Sequence, residues 1–177
     1  MNQQTFSDAL TVIHNRKSVR NFTGESVAQD QLETLLKAAM AAPSAVNCQP
    51  WEFIVVTDRT ILDKLGDALP YAKMIYKAGA AIIVCGIPSK AHKQMAEYAV
   101  IDSTLASENI LLAAEALGLG AIWTAAYPYP DRMKSVSSIL NIPSDVIPLN
   151  VIPIGYPTGE DVQKKKYNPE KIHRERW

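Results

Sequence analysis

Apolar residues recur along the chain with the spacing of amphipathic helices. Residues 5–15 place Phe6, Leu10 and Ile13 on one side of a first predicted helix. A second helix follows Ser26-Val27-Ala28-Gln29, which has the spacing of a capping box, and Pro43 ends it. Its stripe, with steps of three and four residues, consists of Leu32, Leu35, Leu36, Ala39 and Met40. Asp58 can cap a third helix, whose apolar residues are Ile61, Leu62, Leu65 and Leu69.

Short segments between the helices have the composition of β-strands. Residues 53–57 are β-branched and aromatic, which favours a strand. Residues 80–85 are apolar without alternation, as expected for a strand buried on both faces. Residues 121–125 form another candidate for a buried strand, and a short helix is predicted over residues 130–140.

The last predicted strand, over residues 146–154, contains two prolines. Pro148 and Pro153 cannot donate a hydrogen bond, so they favour an edge or bulged position in the sheet. Helices dominate in length and surround a few buried strands. The fold class is therefore α+β or α/β.

A long helix is predicted over about residues 93–117 and ends at Gly118. Along one side, residues with alternating steps of four and three form a seam that another helix can approach closely: Ala99, Ser103, Ala106, Ile110, Ala113 and Leu117. The other side carries Ile101, Leu105 and Leu112. A helix that is apolar on two sides is buried either at the centre of one domain or partly in an interface between subunits.

Length and charge narrow the functional classes. A chain of 177 residues can bury a core and is expected to form one domain over 1–177. Lys and Arg total 18 and Asp and Glu total 18, so no broad field favours nucleic acid or an anionic membrane as a partner. The first ten residues lack the features of a signal peptide, and no apolar run has the length of a membrane span.

The cysteines and histidines predict neither disulfides nor a metal site. The two cysteines form no CxxC motif and are expected to be reduced thiols in the cytoplasm. Cys48 is interpreted as a small filler and Cys85 as a structural residue of a strand. The three histidines, His14, His92 and His173, lack the spacing of metal ligands.

Positive charge is concentrated in two short clusters. Arg16-Lys17-Ser18-Val19-Arg20 combines three cations with a hydroxyl, and Lys164-Lys165-Lys166 lies near the C-terminus. Arginine offers a fork of donors to phosphate or carbonyl oxygens, and serine adds a neutral donor. The clusters fit a small ligand that carries a phosphate and a polar ring, although a run such as 16–20 is also typical of a solvated helix end.

Two further segments allow alternative interpretations. The segment 42–51 has proline-fixed backbone, small side chains and two amides, so it is either a bed for a planar, hydrogen-bonding ligand or an ordinary loop before a strand. Tyr127-Pro128-Tyr129-Pro130 either lines a substrate pocket or forms a rigid turn. Gly118-Leu119-Gly120 lacks the third glycine of a dinucleotide fingerprint, so no Rossmann site for NAD is expected.

Four elements in the right order resemble the nitroreductase family of FMN-dependent NAD(P)H oxidoreductases. They are the basic segment 16–20, the P-S-x-x-N-x-Q-P-W segment 43–51, the A-x-x-L-G-L-G run 114–120, and Gly155-Tyr156-Pro157 followed by the lysines 164–166. The resemblance covers nearly the whole chain. It implies a three-layer α+β fold with a central mixed sheet flanked by helices, in an intertwined homodimer with FMN at the subunit boundary. The polar tail, about 160–177, ends in Trp177 and is expected to dock on the partner subunit.

The resemblance also implies the flavin contacts. Contacts to the phosphate and ribityl chain would come from Arg16 and Ser18, joined by Lys166, with Lys164 as a second candidate. Lys17 would contribute mainly backbone and stem contacts. Arg20 would lie near the N1/O2 end of the ring, where negative charge builds up on reduction. A loop of the other subunit would contribute Pro43, Ser44, Ala45, Asn47 and Gln49. The stretch beside flavin N5 would be Trp123, Thr124, Ala125 and Ala126.

The activity implied by the resemblance is ping-pong hydride transfer. NADH or NADPH would give hydride to flavin N5 and leave, and an electron-poor acceptor such as a nitroaromatic or a quinone would then be reduced. Because FMN carries the chemistry, no catalytic side chain is expected. The chain departs from the family pattern where many members have an acidic residue and a glycine, at Ala125 and Ala126, and where the basic motif often ends in arginine, at Lys166.

Three functions remain open from the sequence. The first is the FMN-dependent oxidoreductase just described. The second is an FMN-binding or storage protein with little turnover, which the absence of an acidic residue at position 125 keeps open. The third is a module that binds a phosphate ligand without flavin, and this rests on the basic clusters alone.

Overall fold

The computed structural model describes residues 8–177 of the chain. Its helices are α1 (Ala9–Asn15), α2 (Gln29–Met40), α3 (Arg59–Ala68), α4 (Ala96–Ala116) and α5 (Pro130–Leu140). Its strands are β1 (Trp51–Val56), β2 (Ala80–Gly86), β3 (Gly120–Ala121), β4 (Thr124–Ala125) and β5 (Ile147–Gly155). Within the described range, no helix combines the length and the hydrophobicity that crossing a membrane requires.

The helix starts agree with the sequence at α3 and differ at α2. As predicted, Asp58 caps α3 by accepting a hydrogen bond from the N–H of Ile61 at 3.0 Å. The predicted capping box at Ser26 and Gln29 is wrong. Helix α2 follows Ala28, whose N–H donates to Oε1 of Gln31 at 3.1 Å. The glutamine that caps the start of α2 is therefore Gln31 and not Gln29. The first predicted helix is present from Ala9, and residues 5–7 lie outside the described residues.

The sheet is ordered β1-β2-β5-β3, and β4 also pairs with β5. All of these ladders are antiparallel, and the sheet is mixed only in that Ser18 forms a parallel bridge with Ala121. The prolines do not place β5 at an edge, because it pairs with β2 on one side and with β3 and β4 on the other. The predicted bulge is confirmed, since the register with β2 shifts beside Pro148.

The sheet separates two cores, which gives the three layers of the fold. Ala80, Ile82 and Val84 of β2 face a core formed with α2 and α4. The alternate residues, Ala81, Ile83 and Cys85, face a second core formed with α3 and α5. Every residue of β2 is buried, so the prediction of a strand covered on both faces is confirmed.

The exposed apolar side of helix α4 is not the seam predicted from the sequence. Ala99, Ser103 and Ala106 are fully buried within the same subunit, where the small residues let α4 approach the sheet and α2. At Gly86 of β2 a Cβ would lie only 3.1 Å from the carbonyl oxygen of Ala99, which shows how closely helix and sheet pack. The exposed apolar side of α4 is the opposite one. There Ile101 is 55% exposed and Leu105 is 41% exposed.

Candidate functional site

The basic segment 16–20 leaves the end of α1 and runs alongside β3. The N–H of Val19 donates to the carbonyl oxygen of Ala121 at 3.1 Å, and the Val19 side chain is buried. This close approach depends on Gly120, because a Cβ there would lie 2.5 Å from Cγ1 of Val19. Val19 therefore fixes the segment, and its neighbours Ser18 and Arg20 are left beside a cavity.

The larger of the two cavities at this segment has a volume of about 520 Å³ and is strongly basic. Its lining residues come from the segment and from the C-terminal tail: Arg16, Lys17, Ser18, Arg20, Glu160, Asp161, Val162, Lys164 and Lys166. The structure therefore brings together the six residues predicted from the two basic clusters, which are about 150 positions apart in sequence. Such a concentration of cations is suited to a phosphate group.

Several of these charges also hold the site together. Asp161 accepts hydrogen bonds from the N–H groups of Arg20 at 2.9 Å and Asn21 at 3.0 Å, which ties the tail to the basic segment. Lys166 donates to the carbonyl oxygen of Arg16. Nε of Arg16 lies 3.5 Å from Oε1 of Glu108 on α4. Sequence reasoning missed Asp161 and Glu108, because a carboxylate whose partner is distant in the sequence leaves no local pattern.

A second cavity, of about 190 Å³, also borders Arg20. It is lined by Arg20, Pro70, Tyr71, Ile122, Trp123, Thr124, Ala125 and Arg132. The structure thus places three of the four residues predicted for the stretch 123–126 in one cavity. Ala126 is fully buried and its N–H donates to the carbonyl oxygen of Leu149, so it lies in the core instead. Arg20 borders both cavities, so the two are neighbouring parts of one candidate site.

The segment 127–130 forms a turn into α5. The N–H of Tyr129 donates to the carbonyl oxygen of Ala126 at 3.0 Å, and Pro130 begins the helix. Neither tyrosine lines the two cavities. Of the two interpretations from the sequence, the structure therefore favours the turn. Tyr129 still affects the second cavity indirectly, because its ring contacts the cavity residue Arg132, whose guanidinium carbon lies 3.8 Å from the ring centroid.

The loop that follows α2 has an unusual backbone. Val46, Asn47 and Gln49 have φ angles of 45°, 58° and 49°, in the left-handed region that costs a branched residue such as valine most. The hydroxyl of Ser44 accepts a hydrogen bond from the N–H of Gln49 at 2.9 Å. The N–H of Ala45 lies 3.2 Å from both carboxylate oxygens of Asp102, a buried residue of α4 that sequence reasoning did not identify.

This loop and the two cavities do not meet within one subunit. None of Pro43, Ser44, Ala45, Asn47 and Gln49 lines either cavity, and Pro43, Asn47 and Gln49 are exposed. The assignment of these residues to the flavin of another subunit therefore stays a prediction. The strained and anchored backbone is typical of a segment held in place for binding.

The two cysteines lie in different environments. Burial, reinforced by the negative charge of Glu52, raises the pKa of the Cys85 thiol from 9.0 to about 12. Cys85 is therefore a neutral core residue, in agreement with the prediction. Cys48 lies partly exposed in the strained loop, and both cysteines are free thiols.

Comparison with known proteins identifies the family. The model of the nitroreductase family matches residues 13–70 and 66–156. A protein of Archaeoglobus fulgidus, provisionally named as an NADH dehydrogenase/NAD(P)H nitroreductase, is 42% identical over 173 residues, which cover 96% of this chain and 99% of the relative. A crystal structure from Bacteroides thetaiotaomicron, with the same provisional name, has a TM-score of 0.91 at 46% identity and covers 98% of this chain and 100% of its own.

A more distant solved structure agrees with these two. The FMN-dependent nitroreductase of Clostridium difficile R20291 has a TM-score of 0.87 at 26% identity, covering 95% of this chain and 99% of its own. These matches span the basic segment, the strained loop and the strands that border the second cavity. The chain belongs to the nitroreductase family.

Proposed function

We propose that this protein is an FMN-dependent oxidoreductase that transfers hydride from NADH or NADPH to an electron-poor acceptor such as a nitroaromatic or a quinone. The observation that carries the proposal is that Arg20 borders both cavities. A ligand with its phosphate among the cations of the larger cavity can therefore extend its ring towards residues 122–125. Family membership and the FMN dependence for which the Clostridium difficile relative is named support FMN as that ligand.

The residues of the larger cavity fit the phosphate of FMN. Arg16 has its Nε beside Glu108, and this pairing orients the guanidinium while its terminal nitrogens are left to donate. Ser18 and Lys164 add a hydroxyl and a second cation. Lys166 adds its charge while its ammonium holds the Arg16 carbonyl. Bound FMN would supply a ring that accepts hydride from the donor and gives it to the acceptor.

In the net reaction, each cycle oxidises one NAD(P)H and consumes one proton. A quinone is reduced to the hydroquinone, or a nitro group to the nitroso group and water. The protein contributes position and charge. Arg20 would stabilise negative charge on the ring through its own positive charge, without exchanging a proton.

A homodimer would complete the site. Pro43, Asn47 and Gln49 of the loop 43–49 are exposed, and Asp102 holds the loop at Ala45. The apolar residues Ile101 and Leu105 on the same helix as Asp102 are also exposed. Trp177 at the end of the tail is fully exposed, as a residue that packs on a partner subunit would be in one isolated subunit. We infer that α4, the loop and the tail face the second copy, and that each FMN contacts both subunits.

Mixed dimers test this arrangement. Arg16→Ala weakens the basic side of each site, and Asn47→Ala weakens the loop side. If one site uses both subunits, a dimer with one chain of each kind has one intact site and one doubly defective site. Random mixing should then restore tight FMN binding to about a quarter of the sites. If the mixed sample binds no more FMN than the two separate variants, the shared site is wrong.

Steady-state kinetics test the activity. The protein should oxidise NADH or NADPH in the presence of a quinone or a nitroaromatic, with parallel double-reciprocal plots, as expected for ping-pong transfer. Because Ala125 leaves this position without an acidic residue, an FMN-binding protein with little turnover is the second candidate. FMN retention without consumption of either donor would favour that candidate. Phosphate binding without FMN binding would favour the third function, a phosphate module.

A further inference from the structure

The smaller cavity is positively charged on its own. Its described lining residues include two cations, Arg20 and Arg132, and no carboxylate. The remaining lining residues are apolar, aromatic or neutral. A ligand in this cavity therefore meets positive charge that no lining residue balances.

Arg132 is held in place by neutral partners. Its guanidinium carbon lies 3.8 Å from the centroid of the Tyr129 ring, and Nη1 donates to the carbonyl oxygen of Ala125 at 3.4 Å. The side chain is half-buried, and no carboxylate of the described residues lies within 4.0 Å of it. The stacking fixes the plane of the fork without neutralising its charge, so donors remain for a ligand.

The position of Arg132 relates it to the acceptor. The contact with Ala125 brings the guanidinium to the strand that, under the proposed function, lies beside the reacting edge of the ring. Arg20, the other cation of the cavity, is assigned to the flavin itself. Arg132 is therefore the cation that faces whatever exchanges hydride at this edge.

We propose that Arg132 forms an anion subsite of the acceptor pocket and selects acceptors that carry a carboxylate on an electron-poor aromatic ring. The inference rests on the proposed function and goes further, because it names the class of acceptor. A carboxylate accepts two parallel hydrogen bonds from the guanidinium fork, whereas a carboxamide of the same shape has only one acceptor oxygen and no charge.

The first test is a binding measurement on the oxidised, FMN-loaded protein. Benzoate and benzamide are titrated in turn, and the change in flavin absorbance gives the two dissociation constants. Arg132→Gln should reduce the preference for benzoate over benzamide by about tenfold, because one charge-assisted contact is lost. Arg132→Lys keeps the charge without the fork and should retain part of the preference. Lys134→Gln removes an exposed cation of the same helix that does not line the cavity, and should leave the preference unchanged.

The second test separates the acceptor from the donor. The ratio of kcat/KM for 4-nitrobenzoate to kcat/KM for 4-nitrobenzamide should fall about tenfold in Arg132→Gln, and comparing ratios removes the intrinsic difference between the two acceptors. Rapid mixing with NADH or NADPH measures the reductive half-reaction separately. A defect confined to that half-reaction would overturn the inference and reassign Arg132 to the nicotinamide donor.

The remaining outcomes distinguish this inference from the proposed function. If wild type oxidises NAD(P)H with 4-nitrobenzamide and neither ratio changes in Arg132→Gln, the anion subsite is wrong and the oxidoreductase stands. If wild type retains FMN without turnover, the absorbance titration still decides the subsite. If wild type binds no FMN, both proposals fail together.

Discussion

Gly120→Ala tests how the fold positions the phosphate site. The added Cβ would lie 2.5 Å from Cγ1 and 2.8 Å from Cβ of Val19, far inside ordinary contact distance. Val19 is 2% exposed and its backbone is bonded to Ala121, so it has no open space into which it can turn. The basic segment must therefore move away from β3, and Ser18 and Arg20 move with it.

The size of the effect follows from this clash. Overpacking a filled site costs about 1–3 kcal/mol of stability. A shift of the segment also misplaces Arg16, Ser18 and Arg20 together, and the loss of one well-aligned charge-assisted contact lowers affinity about tenfold or more. Gly120→Ala should thus lower both the free energy of unfolding and the affinity for FMN.

Gly118→Ala, two residues before Gly120, is the matched control. Gly118 has φ of 72°, and a Cβ there meets no atom within 4 Å. The variant pays the left-handed backbone cost of about 1–2 kcal/mol without moving Val19. Urea unfolding of the FMN-free proteins gives the stabilities, and fluorescence titration gives the FMN affinities. If both variants lose stability but bind FMN as tightly as wild type does, the link from Gly120 through Val19 to the site is wrong.

Three further predictions concern single side chains. Asp102→Ala leaves the Ala45 N–H without its acceptor and should weaken FMN binding about tenfold. Asp102→Asn keeps an acceptor oxygen and should weaken FMN binding less. Equal losses of affinity in the two variants would argue against this anchor. Arg20→Ala should weaken FMN retention and lower the reduction potential of the bound flavin, and a redox titration that gives the wild-type potential would show that Arg20 is misplaced. Because the pKa of Cys85 is raised from 9.0 to about 12, its contribution to stability is complete below pH 9 and is lost as pH rises towards 12. Cys85→Ala should therefore flatten the decline in the free energy of unfolding between pH 8 and pH 11. An unchanged slope would contradict the buried neutral thiol.

Local patterns predicted much of the fold. The unbroken apolar run at 80–85 predicted a strand covered on both faces, and β2 indeed faces two cores. Asp58 predicted the start of α3, because a cap acts within three residues. The prolines of β5 predicted its bulge but not its central position. The strand predicted at 121–125 is split into the short strands β3 and β4, and no local pattern indicates that both pair with β5.

The site was less accessible to sequence reasoning wherever contacts are long-range. The two basic clusters could be recognised as cations, but the tie of Asp161 to the backbone of Arg20 and Asn21 spans about 140 residues. In the sequence, Asp102 is one of several polar residues in a long helix, and its contact with Ala45 depends on the fold. Arg132 stands in a short helix without a motif. Its place in the cavity comes from the turn at 127–130, which no periodicity describes.

An anaerobic absorption spectrum of the purified protein, taken before and after addition of NADH and then NADPH, shows whether the basic cavity holds FMN that a nicotinamide donor reduces. We expect a flavin spectrum that bleaches with at least one donor and returns when a quinone is added. A protein that shows no flavin spectrum, even after incubation with FMN, would contradict the assignment of the basic cavity.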